Sequence, residues 1–226
     1  MSTLTARTSD ILSHDRQKVL RNTYALLALT MVPTVAGAWF GMTSGIGAML
    51  TAGWMGPVLA LVVMMGFIFA IQANRNSPAG VYLLLAFTGL MGVLLSSTLG
   101  IVMGRQNGAE LVMTAFAATG AAFGSMAVLS TLVRRSLAGM GTFLFAGVIV
   151  LLVAGIANMF LQSGPVALAL SSLGAIVFTL FLLFDLKAVR DGYETSYVSA
   201  TLNVYLSLFN LFTSLLRLLS MLSGED

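Results

Sequence analysis

Seven stretches of about twenty apolar residues, separated by short polar breaks, run through this chain of 226 residues. They fall near Asn22–Met42, Gly53–Ala73, Ala79–Met103, Leu111–Leu132, Leu137–Leu161, Val166–Phe184 and Ala200–Leu222. A helix rises about 1.5 Å per residue, so roughly 20 residues cross the hydrocarbon of a bilayer. Lipid offers no hydrogen-bond partner to the backbone, which leaves only helices or closed barrels as spanning structures. The runs are near-continuous and lack the strict alternation of barrel strands. The expectation is an all-α integral membrane protein with seven transmembrane helices. Only 8% of residues are charged, against roughly a quarter in a soluble domain, so no separately folding soluble domain is expected.

The runs divide the chain into an N-terminal arm, residues 1–21, a transmembrane domain, residues 22–222, and a short tail, residues 223–226. Lysine and arginine orient it. The arm carries Arg7, Arg16, Lys18 and Arg21, the second polar break Arg75, the fourth Arg134 and Arg135, and the hinge before the last run Lys187 and Arg190. Arg105 and Arg217 alone belong to the other side. Nine against two places the arm and hinge in the cytoplasm and the tail on the outer side of the membrane. The arm reads as a mobile tail with a short helical portion. The first apolar run is much longer than the h-region of a cleaved signal peptide. The net charge of +3 and a pI near 9.6 are scattered among loops, a mark of topology that argues against a nucleic-acid partner.

Small residues spaced four apart, Gly37/Gly41/Gly45, Gly100/Gly104 and Gly120/Gly124, are expected to let helices approach closely within the protein. The fourteen methionines read as packing filler. Trp39, Trp54 and Tyr24 fall near span ends, where interfacial anchors sit.

The stretch Phe178–Leu222 holds the densest charge in the chain. Asp185, Lys187, Arg190, Asp191 and Glu194 are compressed between two apolar runs. Asp185 falls before the sixth run has clearly ended, and a carboxylate at the edge of hydrocarbon is expensive to keep ionised. If the sixth helix continues to about Arg190, Asp185 sits roughly 7 Å inside its cytoplasmic end, and Ser207 and Asn210 lie roughly 10–15 Å in along the last helix. The three could meet at similar depth and form a proton- or cation-sensitive latch. The alternative is a carboxylate that reaches the interface and pairs with Lys187 or Arg190. Asn158 and Asn210 are each deep in a span, where an amide is expected to bond to a neighbouring helix. Arg217 is expected to reach outward from the last turns. Glu110 opens the fourth span, where a carboxylate suits the helix dipole.

Several chemistries lack their residues. The one histidine, His14, lies in the arm, and there is no cysteine. An intramembrane serine protease, haem or zinc would need a histidine or thiolate within the spans. An aspartyl protease needs two carboxylates sharing a proton, and only Asp185 is placed for it. No phosphate-binding loop of the Gly-Lys-Ser/Thr type occurs, and no inverted repeat points to a transporter. No enzyme activity, cofactor or resident metal is expected.

The seven-span layout, the Phe184-Asp185 step and the segment Tyr205-Leu206-Ser207-Leu208-Phe209-Asn210-Leu211-Phe212 resemble the Bax inhibitor-1 family. Lys18-Val19-Leu20-Arg21-Asn22-Thr23-Tyr24, Ala157-Asn158-Met159-Phe160-Leu161-Gln162 and Glu194-Thr195-Ser196-Tyr197 with Ala200-Thr201 are similar to its bacterial YccA-like branch. The resemblance covers essentially the whole chain. It implies an inner-membrane partner of the ATP-dependent protease FtsH, one that binds and restrains it. It also implies a cytoplasmic arm, with Arg16, Lys18 and Arg21 at its base, on which the protease can start pulling. Other members of the family act as pH-sensitive calcium leaks governed by paired aspartates on the last two helices. Asp185 matches the first of that pair and Ser207 stands at the second, so the pair is broken here. One carboxylate with a serine and an asparagine is a poor set for calcium, which takes six to eight oxygens. Restraint of the protease is therefore the first expectation, and a cation leak gated at Asp185 the alternative.

Overall fold

The computed structural model of the chain describes residues 2–53, 55–135 and 137–224. It is built of helices: α1 (Ser2–Ser44), the short α2 (Ile46–Leu50), α3 (Met55–Ala73), α4 (Pro78–Met103), α5 (Gly108–Leu132), α6 (Ala138–Leu161), α7 (Gly164–Asp191) and α8 (Tyr197–Leu222). Seven of these are long and apolar enough to cross a membrane, and α2 is the exception. Trp54 and the last two residues of the expected tail lie outside the described residues.

Three boundaries differ from the expectation. α1 begins at Ser2, so the arm is a helical extension of the first span rather than a tail with a short helical portion. α2 was not legible as a helix; Gly45, at φ +72°, turns the chain out of α1 and into it. α7 continues past Phe184 to Asp191 and closes on Gly192 at φ +83°, where the Tyr193 N–H donates to the Ala188 carbonyl (2.9 Å). Such a left-handed cap satisfies last-turn carbonyls that have no partner within the helix.

α8 is the central helix and packs on α7, α5, α1 and α4. Its Leu202, Val204, Tyr205 and Leu211 meet Leu182 and Leu186 of α7 and Leu84, Phe87 and Met91 of α4 in one buried cluster. Tyr205 packs edge-on against Phe87 and tilted against Phe209, and its hydroxyl is hydrogen-bonded to Thr34 of α1 at 2.9 Å. α3 and α6 lie at the periphery, with large apolar side chains such as Phe69, Phe143 and Phe160 exposed towards lipid.

The closest helix pair is α1 with α4. A Cβ on Gly37 would overlap the Gly89 carbonyl, and one on Gly92 would overlap the Thr34 carbonyl. Without a hydrophobic drive between helices in lipid, such backbone approach supplies the packing energy. The other glycine pairs do not behave this way. Nothing lies within 4 Å of a Cβ built on Gly100, Gly120 or Gly124, so those positions are not internal seams. Gly45 is a turn residue.

Contacts between connections sort the ends of the helices into two faces. On one face Ser196 Oγ donates to the Arg75 carbonyl (2.8 Å), Lys187 Nζ to the Val133 carbonyl (2.9 Å), and Arg16 lies against Gly192. On the other, Arg105 donates to the Ser220 carbonyl (2.6 Å) and Asn107 to Ser223 Oγ (2.5 Å). The basic connections therefore gather on one face, with Arg105 on the opposite one.

Candidate functional site

The run of α7 beyond the apolar core sets the geometry of the site. Asp185 lies one and a half turns before the end of α7 and Ser207 three turns into α8, and the helices run antiparallel. The two side chains meet. The Ser207 hydroxyl donates to Asp185 Oδ2 at 2.6 Å, with both residues buried (7% and 4% exposed). At 2.6 Å this O–H···O bond lies at the short end of the range for a hydroxyl donor.

Asn210 does not join them. Its amide donates to the Leu206 carbonyl of its own helix (2.8 Å), so the expected trio reduces to a pair. Asn158 likewise turns inward and accepts from the Ser163 N–H (3.1 Å) at the end of α6 instead of bridging to another helix. A side-chain amide reaches its own backbone whenever no neighbour presents a better partner, and span position alone does not distinguish the two cases.

Nor do the basic residues of α7 pair with Asp185. Lys187 is buried at 5% exposure and forms an ion pair with Asp191 one turn on (2.7 Å), besides its bond to the Val133 carbonyl. Arg190 donates to the Ser130 carbonyl. Both cations thus sit at the C-terminal end of α5, where carbonyls lack partners and the helix dipole is negative. They tie α7 to α5 and leave Asp185 to Ser207.

Asp185 lines a cleft of about 170 Å³ between the end of α7 and the start of α8. Tyr193 and Glu194 of the hinge, Ala188 of α7 and Asn203 of α8 also line it. Glu194 is oriented by accepting from the Ser196 N–H (2.9 Å). Sequence reasoning missed Asn203. The signal was present: Asn203 precedes Ser207 by one helical turn and so shares its face. Arg16, Lys18 and Arg21 are exposed on α1, and the Arg16 guanidinium is seated on Gly192 of the hinge. Arg217 is exposed near the end of α8, and Glu110 is exposed in the first turn of α5.

The chemistry available is that of a hydrogen-bonded link between α7 and α8. The pair offers one carboxylate and one hydroxyl, and among the described residues no three His, Cys, Asp or Glu side chains converge as metal ligands. By itself the Asp185–Ser207 pair supplies fewer oxygens than the six to eight a calcium ion takes.

Comparison with known proteins accords with this layout. A family profile described as "Inhibitor of apoptosis-promoting Bax1" matches residues 16–224. A Vibrio cholerae protein named as an uncharacterized membrane protein is 37% identical over 216 residues, covering 94% of this chain and 93% of the relative. The Escherichia coli K12 protein named "Modulator of FtsH protease YccA" is 33% identical over 219 residues, covering 94% of this chain and 97% of the relative.

Proposed function

This chain belongs to the Bax inhibitor-1 family, a multi-pass protein of the bacterial inner membrane, and on that footing we propose that it binds and restrains an FtsH-type ATP-dependent membrane protease. The observation that carries the reading is identity over almost the full length of both chains with a relative named for modulating that protease. Two features of the chain support it. The fold is a helical body with broad lipid-facing apolar surfaces on α3 and α6, suited to lateral contact with another protein's membrane helices. The arm continues α1 out of the membrane and carries exposed Arg16, Lys18 and Arg21 at its base. With the basic face in the cytoplasm, as the distribution of lysine and arginine directs, the arm extends to where a cytoplasmic protease pore can seize it.

In this reading the body docks beside the protease and the arm occupies its entrance, so that other membrane substrates wait. Deleting residues 1–18 is expected to lengthen the protein's cellular lifetime several-fold while the complex with the protease still co-purifies. Pulse-chase and affinity capture read the two quantities separately. An unchanged lifetime contradicts a role for the arm, and loss of the complex contradicts lateral docking by the body.

A further inference from the structure

Arg16 and Gly192 are separated by nearly the whole chain and are in contact. Gly192 ends α7 at φ +83°, a conformation that L side chains rarely adopt. Its missing side chain leaves room that Arg16 fills: a Cβ there would lie 2.7 Å from Arg16 Nε and 3.1 Å from Cζ. The guanidinium therefore sits at the C-terminal end of α7, where the helix dipole favours a cation.

The hinge that follows is fastened at both ends. Before it, Lys187 and Arg190 hold the end of α7 to α5. After it, Ser196 caps α8 and donates to the Arg75 carbonyl. Between these fastenings Tyr193 and Thr195 are exposed, and Tyr193 and Glu194 line the same cleft as Asp185. Arg16 reaches this middle portion from another helix, and it is carried by the arm.

We propose that Arg16 is a strap: seated on Gly192, it keeps the α7–α8 hinge closed over the Asp185 cleft, and withdrawal of the arm opens the cleft to water. The strap stands on the contact alone. Its use as a relay, in which a protease pulling the arm loosens the last two helices, rests on the function proposed above.

The chain contains no cysteine, so Ala188→Cys, in the cleft, supplies a single reporter thiol. Its reaction with a water-soluble maleimide is followed in nanodiscs without any protease. Arg16→Ala is expected to raise the labelling rate about two- to fivefold, the factor that a cation at a helix C-terminus is worth. Arg16→Lys should fall between, and Lys18→Ala, which leaves the strap intact, should not change it. Equal rates for Arg16→Ala and the unaltered arm overturn the strap, as does an equal rise in Lys18→Ala. Asn203→Cys, on α8 in the same cleft, repeats the measurement should Ala188→Cys disturb the fold. Because no protease is present, failure here leaves the proposed restraint standing, whereas failure of the arm-deletion experiment leaves the strap standing.

Discussion

Replacing Gly92 by alanine lowers the melting temperature of the detergent-solubilised protein by roughly 2–12 °C, as expected for about 1–3 kcal/mol of overpacking in a protein of this size. The same replacement at Gly120 leaves it unchanged or raises it. At Gly92 the new methyl group would overlap the Thr34 carbonyl and lie 2.9 Å from the Ala38 nitrogen, both backbone atoms that cannot swing aside. α1 must then move off α4, and the Thr34–Tyr205 hydrogen bond (2.9 Å) between α1 and α8 is strained with it. At Gly120 nothing lies within 4 Å, and alanine is the better helix former. Differential scanning fluorimetry of the two variants checks the contrast. Equal shifts would mean that α1 and α4 do not meet through their backbones.

Ser207→Ala is expected to destabilise by about 1–3 kcal/mol, because a buried carboxyl loses the hydroxyl that satisfies it. The loss should be largely recovered in the double variant Asp185→Leu/Ser207→Ala, where both partners become apolar and nothing polar is left unsatisfied. Asn210→Ala should cost less, since its amide bonds only to the Leu206 carbonyl of its own helix. A double-mutant cycle in the same detergent separates the pair energy from the effect of each truncation. Additive effects would contradict the 2.6 Å bond as a coupling between α7 and α8.

The seven spans were legible because each run is long enough to cross and nothing else suits so apolar a stretch. The end of the sixth was not. Lys187 and Asp191 look like the start of a loop, yet they lie one turn apart in α7 and neutralise each other (2.7 Å), which lets the helix run on. That continuation decides the site, because it brings Asp185 level with Ser207. The pairing of these two was foreseen on depth along the helices. The exclusion of Asn210 was not, since its partner is a carbonyl of its own chain segment and spacing carries no trace of the choice. Glycine spacing was equally silent. Gly37 and Gly41 are seams and Gly120 and Gly124 are open, although all four sit in the same four-residue pattern. What separates them is which helix lies opposite, a tertiary fact. The seat of Arg16 on Gly192 joins the two ends of the sequence and could not be read from either.

The central claim is restraint of the protease. Its most direct test is degradation of an unrelated membrane substrate by purified FtsH in nanodiscs, with this protein added in increasing amounts. The account predicts dose-dependent slowing of degradation, weaker when residues 1–18 are removed. Degradation at an unaltered rate with saturating protein in the same nanodiscs would contradict it.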